Sequence, residues 1–249
     1  MVEEDIYDSI EVLRGDGDDA AKTEAAKTLN NFALDDDVDD PCFKDQILAE
    51  GGIEQLIDLL RVDSAEAKQR AATALCNLAR RHDEIATRIA QPGLDGIALL
   101  IKLLQHGNEE AKINAAQALR NVAYHENWGS SVGTYEDNAD QIVQAGAIPP
   151  LVGLLRDGDD AKDAAAEALR CLAWTAIHCK VEIAAAVGFD AVVELARRGR
   201  VTVQRRLVSN AALPVKRKAA LVVAALLRDS VPGFKSALPD IKAAIGSYL

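Results

Sequence analysis

An eleven-residue pattern recurs five times along this chain, and no other feature limits the fold as much. It runs Ala or Val, Lys, two free positions, a pair of alanines, two more free positions, Leu or Val, one free position, and a closing Asn, Cys or Ala. The copies are A-K-T-E-A-A-K-T-L-N-N from Ala21, A-K-Q-R-A-A-T-A-L-C-N from Ala67 and A-K-I-N-A-A-Q-A-L-R-N from Ala111. Two looser copies follow, A-K-D-A-A-A-E-A-L-R-C from Ala161 and V-K-R-K-A-A-L-V-V-A-A from Val215. Self-similarity at a near-constant period dictates stacked modules before any other reading is considered. Such an array is one elongated domain without a single central core.

The closing residues are Asn31, Asn77, Asn121, Cys171 and Ala225, spaced by 46, 44, 50 and 54 residues. A period in the low-to-middle forties with two or three helices per unit fits armadillo and HEAT arrays, and period alone does not choose between them. Each unit divides further. Ahead of the alanine-rich helix lies a shorter apolar one: I-E-Q-L-I-D-L-L from Ile53, L-D-G-I-A-L-L-I-K-L-L from Leu94, I-P-P-L-V-G-L-L from Ile148. Their aliphatic residues recur at three- and four-residue steps, a helical period. Short polar turns follow, and Ser64, Asn108 and Asp159 are the expected N-caps of the next helix. Upstream of each apolar helix a third short helix ends in glycine, as in I-L-A-E-G-G-I, I-A-Q-P-G-L, I-V-Q-A-G-A-I and A-A-A-V-G-F. A left-handed glycine there stops one helix and turns the chain into the next.

The helix triplets, A-G-A-I-P-P-L-V-G-L-L from Ala145 to Leu155, and the A-L-x-N-L-A endings together resemble armadillo repeats across nearly the whole chain. The resemblance is strongest in the middle three units. It implies an all-α fold, a right-handed α-solenoid of three-helix repeats, with third helices lining a concave groove that binds partner proteins. The expected units are 1–38 as an N-terminal cap, then 41–80, 82–125 and 136–176, with 178–249 as a degenerate C-terminal cap. The first unit lacks its short opening helix. The last closes on Ala225, carries Pro214, and ends in a tail punctuated by Pro232, Gly233, Pro239 and Gly246.

On a helix, residues seven and four before the closing position, that position, and three after it share a face. Around Asn77 these are Arg70, Thr73 and Arg80; around Asn121 they are Asn114, Gln117 and Tyr124; around Asn31 they are Glu24, Lys27 and Leu34. A side-chain amide offers a donor and an acceptor, the complement of an extended peptide backbone. A ladder of Asn31, Asn77 and Asn121 can therefore hold a partner's main chain, as the resemblance implies; Cys171 breaks the ladder. The competing reading has each Asn bonded to the neighbouring helix, fixing the stack. The two are compatible. A nuclear-transport adaptor of this family pairs each ladder Asn with a Trp four residues earlier. Here Lys27, Thr73, Gln117 and Glu167 stand instead, which argues against recognition of basic nuclear-localisation peptides.

Trp128 lies between the third and fourth patterns with Tyr124 and Tyr135, and Trp174 just after the fourth. Aromatic anchors dominate many interfaces, so Tyr124, Trp174 and the Trp128 loop are a candidate partner pocket. The alternative is that Trp128 and Tyr135 pack their own loop and Trp174 fills the core. The predicted partner-binding set is Asn31, Arg70, Asn77, Asn114, Gln117, Asn121, Tyr124, Trp128 and Trp174.

Charge is uneven. The chain carries -11 overall, but residues 1–50 hold 4 Lys/Arg against 16 Asp/Glu, while 197–249 hold 11 against 2. Overall acidity argues against a general nucleic-acid binder. The opposed ends admit a second function class, a structural unit assembling head to tail. A weaker third is a basic end, with Arg205, Arg206, Lys216, Arg217 and Lys218, leaning on anionic lipid or RNA. Membrane contact is at most peripheral, since no apolar run reaches the ~18 residues of a span.

No catalytic, metal or cofactor site is expected, and no small-molecule substrate. Cys171, His178 and Cys179 offer three ligands at no zinc spacing. No nucleophile motif is present. The acidic run D-D-D-V-D-D from Asp35 lacks the alternation of a calcium loop. None of the four cysteines forms a C-x-x-C pair and no signal peptide follows the acidic start, so the expected location is cytoplasmic, with the nucleus as a second compartment. The expected protein is a non-catalytic interaction scaffold or adaptor holding an extended partner segment.

Overall fold

A computed structural model describes residues 2–34, 42–124 and 134–175. Within them the chain is entirely helical. The acidic Asp35 loop, the Trp128 loop, and everything from Ala176 onward, including the basic end and the fifth pattern, lie outside the described residues. So the C-terminal-cap and head-to-tail expectations lie there too.

The first unit is α1 (Val2–Arg14) and α2 (Asp19–Leu34). Three triplets follow: α3 (Cys42–Ala49), α4 (Gly52–Leu59) and α5 (Ala65–Leu78); α6 (Asp83–Ile89), α7 (Gly96–His106) and α8 (Glu109–Ala123); α9 (Thr134–Gln144), α10 (Ile148–Leu154) and α11 (Asp159–Thr175). The alanine-rich helices form the spine, with α2 packed on α5, α5 on α8, and α8 on α11. Ala71, Ala72, Ala115 and Ala116 are fully buried in these contacts. With only a methyl between backbones, such helices approach to ~8 Å, the short end of the helix-packing range. The second helices close the layer behind them: α4 rests on α5, α7 on α8, α10 on α11. Ile53, Leu56, Ile57 and Leu100 are buried there, each stabilising the fold by about 1.5–3 kcal/mol relative to exposure.

Local chemistry ends each helix where the sequence indicates. Gly51, Gly93 and Gly146 adopt φ of 78°, 96° and 84°, the left-handed turn after each short first helix. Ser64 accepts from the Ala67 amide at 3.3 Å, and Asn108 from that of Ala111 at 2.8 Å, so both are N-caps. Asp18 does the same for α2, accepting from Ala21 at 2.7 Å. Asp159 differs from expectation: it is the first residue of α11, and the Gly158 carbonyl takes the opening bond from Lys162. A carboxylate in the first turn favours the helix as a charge near its positive end rather than as a cap.

Arginines clasp one repeat to the next. Arg14 donates to the Glu50 carbonyl at 3.1 Å, and Arg61 to the Leu94 carbonyl at 2.9 Å, each just before the following second helix. Lys44, buried on α3, donates to the Arg80 carbonyl at 3.1 Å. Its neighbour Asp45 meets His82 Nε2 at 2.9 Å, while His82 Nδ1 accepts from the Ile85 amide and caps α6. With Nδ1 accepting, the ring proton sits on Nε2 and is donated to Asp45. Thus α3 grips the turn between α5 and α6 from two adjacent residues.

Candidate functional site: the open face of the third helices

Three faces of α5 are buried by α2, α8 and α4, and one stays open. Arg70, Thr73, Asn77 and Arg80 are all half-exposed on it. On α8 the corresponding side carries Asn114, Gln117, Arg120 and Tyr124; Tyr124 is 37% exposed. On α2 it carries Glu24, Lys27 and Asn31, all exposed, and on α11 Asp163, Ala166 and Glu167. The structure therefore brings Asn31, Arg70, Asn77, Asn114, Gln117 and Tyr124 onto one side of consecutive stacked helices. Trp128 lies outside the described residues. Trp174 falls in the last turn of α11, and its side chain is not among those described.

Asn121 behaves differently. It is 6% exposed, and its Nδ2 donates to the Cys76 carbonyl at 2.8 Å. Its Oδ1 accepts from Arg120 Nη1 at 2.9 Å. The Cys76 carbonyl needs this donor. In a continuing helix the Arg80 amide would bond to it; here that amide goes to Asn77 O at 3.3 Å. Cys76 O is thus one of the last-turn carbonyls a helix leaves without an internal partner. The Asn121 side chain supplies that partner from the next repeat. Cys171 stands in the same place one repeat on: its Sγ points to the Arg120 carbonyl at 3.7 Å, and the Tyr124 amide that would serve that oxygen bonds to Asn121 O instead. Asn77 reaches back as well, from Nδ2 to Asn30 Oδ1 at 2.8 Å. The closing position of the second, third and fourth patterns is a rung between helices, directed at the residue just before the closing position of the preceding unit.

Further rungs flank it. Asn114 donates to Thr73 Oγ1 at 2.7 Å, and Asn108 to Gln69 Oε1 at 2.7 Å. The Cys76 thiol points to Gln117 Oε1 at 3.7 Å. Burial pushes that thiol up from 9.0 to about 12, with the Arg120 and Arg80 charges pulling it partly back. It is protonated at neutral pH and is not a nucleophile. No cluster of three or more His, Cys, Asp or Glu able to hold a metal occurs among the described residues. No described helix is long and apolar enough to cross a membrane.

Sequence reasoning missed Arg120. It occupies the free position before the closing Asn and reaches the open side, with its guanidinium carbon 5.2 Å from the Tyr124 ring centroid. The departure of this residue from Asn30 and Cys76 at the same pattern position was the available signal.

The armadillo/beta-catenin-like repeat model matches residues 41–80 and 136–173. No curated protein matches the chain in sequence. Among solved structures, an engineered protein from a structural genomics consortium is 26% identical, covering 98% of this chain and 85% of its own, with a TM-score of 0.74. A computationally designed armadillo repeat protein for modular peptide recognition is 21% identical over 88% of this chain and 81% of its own, TM-score 0.71. A designed armadillo repeat protein in complex with peptide (KR)4 is also 21% identical, over 89% and 81%, TM-score 0.70. The helix triplets, the stacked third helices and these matches agree, and the chain carries armadillo repeats.

Proposed function

We propose that the protein is a non-catalytic scaffold whose open third-helix face holds an extended segment of a partner protein. The observation that carries this reading is the open polar side that recurs, in register, on α2, α5, α8 and α11 while the rest of α5 and α8 is packed. Solved relatives designed for peptide recognition support it. The dimensions agree: helices stacked at about 8–10 Å step past two to three residues of a strand rising about 3.3 Å each, so four helices span roughly eight residues.

Arg70, Asn77, Asn114, Gln117 and Tyr124 are assigned to the partner contact, with Asn31 at the N-terminal end. Trp128 and Trp174 join them on residue type and chain position. Asn121 is assigned first to the stack, because both ends of its amide are bonded within the fold. A cytoplasmic location belongs to the same proposal.

Photocross-linking tests the surface. A benzoylphenylalanine replacing Gln117, on the open face, is expected to cross-link peptides that the full chain selects from a random twelve-residue library. The same group replacing Lys102, exposed on α7, is expected not to. Cross-linking from position 102 alone, or selection of no peptide, refutes the proposal.

A further inference from the structure

The first unit is open on the side where each later described unit is covered. The opening alanine of the pattern is fully buried at Ala67, Ala111 and Ala161, yet exposed at Ala21. The residue after the closing position is at most 1% exposed at Leu78, Val122 and Leu172, but Phe32 is only half-buried. Thr28 is half-exposed where later units place a buried alanine. The second helix repeats the contrast. Arg14 and Arg61 make equivalent clasps, which aligns Val12 with Leu59, Leu103 and Leu154. Those leucines are 2%, 6% and 2% exposed, and Val12 is 38%. A later unit is covered by the third helix before it, as α5 is by α2, and by its own first helix. Among the described residues, the first unit has neither.

The column of rungs stops there as well. Asn77, Asn121 and Cys171 reach back to the preceding helix, whereas Asn31 is exposed and makes no such bond among the described residues. A terminal repeat that only has to stay soluble carries a polar outer side. Of Val12, Ala21, Thr28 and Phe32, Thr28 alone is polar. Tyr7 and Leu34, each 50% exposed, add apolar surface to the same unit. This end therefore continues the α2–α5–α8–α11 interface by one place, uncovered.

We infer that this end docks a second copy of the chain through the basic segment 197–249, giving head-to-tail assembly. Charge selects that occupant. Residues 1–50 hold 4 Lys/Arg against 16 Asp/Glu, and residues 197–249 hold 11 against 2. Asp5, Asp8, Asp16 and Asp19 are exposed and form no ion pair among the described residues. Two acidic ends repel, which disfavours a face-to-face pair. Unlike ends attract, and salt screens the attraction. A contact between unlike surfaces leaves one end of each kind open, so the product is a filament or a ring. This surface meets the open third-helix side only at Asn31, and neither assignment depends on the other.

Sedimentation velocity of the full chain tests this across concentration, at low and high salt. The expected result is reversible growth beyond the monomer, weakened by salt. Two variants, both checked for helicity, block one end each. Val12→Lys/Ala21→Lys changes the acidic end, and Lys216→Glu/Arg217→Glu/Lys218→Glu the basic end. Each alone is expected to lose roughly tenfold or more in self-association. Their mixture is expected to form a one-to-one complex through the two ends left intact. A native chain that stays monomeric at every concentration and salt overturns the inference, as does a mixture of the variants that stays monomeric. Assembly of the acidic-end variant equal to the native chain's overturns it too. Undiminished assembly of the basic-end variant identifies a face-to-face pair and also overturns it. If either variant loses helicity, Val12→Gln or Lys216→Gln replaces it, and assembly equal to the native chain's then overturns the inference.

Discussion

Replacing Asn121 by Ala separates a structural rung from a partner ligand. The side chain is 6% exposed and gives the Cys76 carbonyl a donor at 2.8 Å that its own helix does not provide. Removing it leaves that carbonyl buried without a partner, at a cost of about 1–3 kcal/mol; Arg120, half-exposed, recovers water in place of the lost Oδ1. The expected loss is therefore about 2 kcal/mol, a factor of roughly 30 in the folding equilibrium. Asn77→Ala is the internal control. Its rung ends on the half-exposed Asn30 side chain, which water can serve, so the expected loss is about 0.5 kcal/mol. Asn121→Asp sets an oxygen against the Cys76 oxygen and is expected to lose more than the alanine change. Urea unfolding followed by far-ultraviolet circular dichroism gives the order. Because repeat arrays depart from two-state behaviour, native-state hydrogen exchange of the α5 amides is measured beside it. A loss below about 0.5 kcal/mol for Asn121→Ala, or one equal to that of Asn77→Ala, would refute the assignment of this amide to the stack.

Two glycines are expected to respond to alanine with opposite signs. A Cβ on Gly96 would lie 2.5 Å from the Ile89 carbonyl oxygen and 3.2 Å from Ile57 Cδ1, whereas one on Gly153 would meet nothing within 4 Å. Gly96→Ala should destabilise by about 1–3 kcal/mol and Gly153→Ala should stabilise by about 0.5–1 kcal/mol, both read by thermal or urea melts. The Cys76 thiol gives an alkaline signature. Its folded value of about 12 exceeds the ordinary 9.0, so between those values the unfolded chain holds fewer protons, and stability falls as pH rises. At pH 10 the native chain should lose about 1 kcal/mol more than Cys76→Ala does, relative to neutral pH. Equal losses contradict the burial argument.

Much of the fold was legible in the sequence because its determinants are local. A glycine one or two residues ahead of an apolar run, a Ser or Asn before an alanine-rich one, and a pattern repeated at a fixed interval each act within a turn or two of helix. Asp159 shows the limit, since cap and first turn differ by one residue and both favour a carboxylate. The orientation of Asn121 was not legible. It occupies the same wheel position as Asn77, and what distinguishes them is whether the preceding helix presents a side chain, Asn30, or a bare carbonyl, Cys76, at the contact. That depends on a residue 45 positions away. Arg120 escaped notice for a related reason: the helical wheel places it beside the buried Leu119, and only its long side chain returns it to the open side.

The rungs at Asn121 and Cys171 all run one way, each completing the unfinished end of the helix before it. Modules related like this overlap as shingles do: the lower edge of each is sealed by the one laid after it. Peeling from the C-terminal side bares the Arg120 and Cys76 carbonyls in turn, whereas peeling from the opposite side bares the Asn121 amide and the Cys171 thiol. The array is thereby vectorial: at these two joints an acceptor faces forward along the chain and a donor faces back.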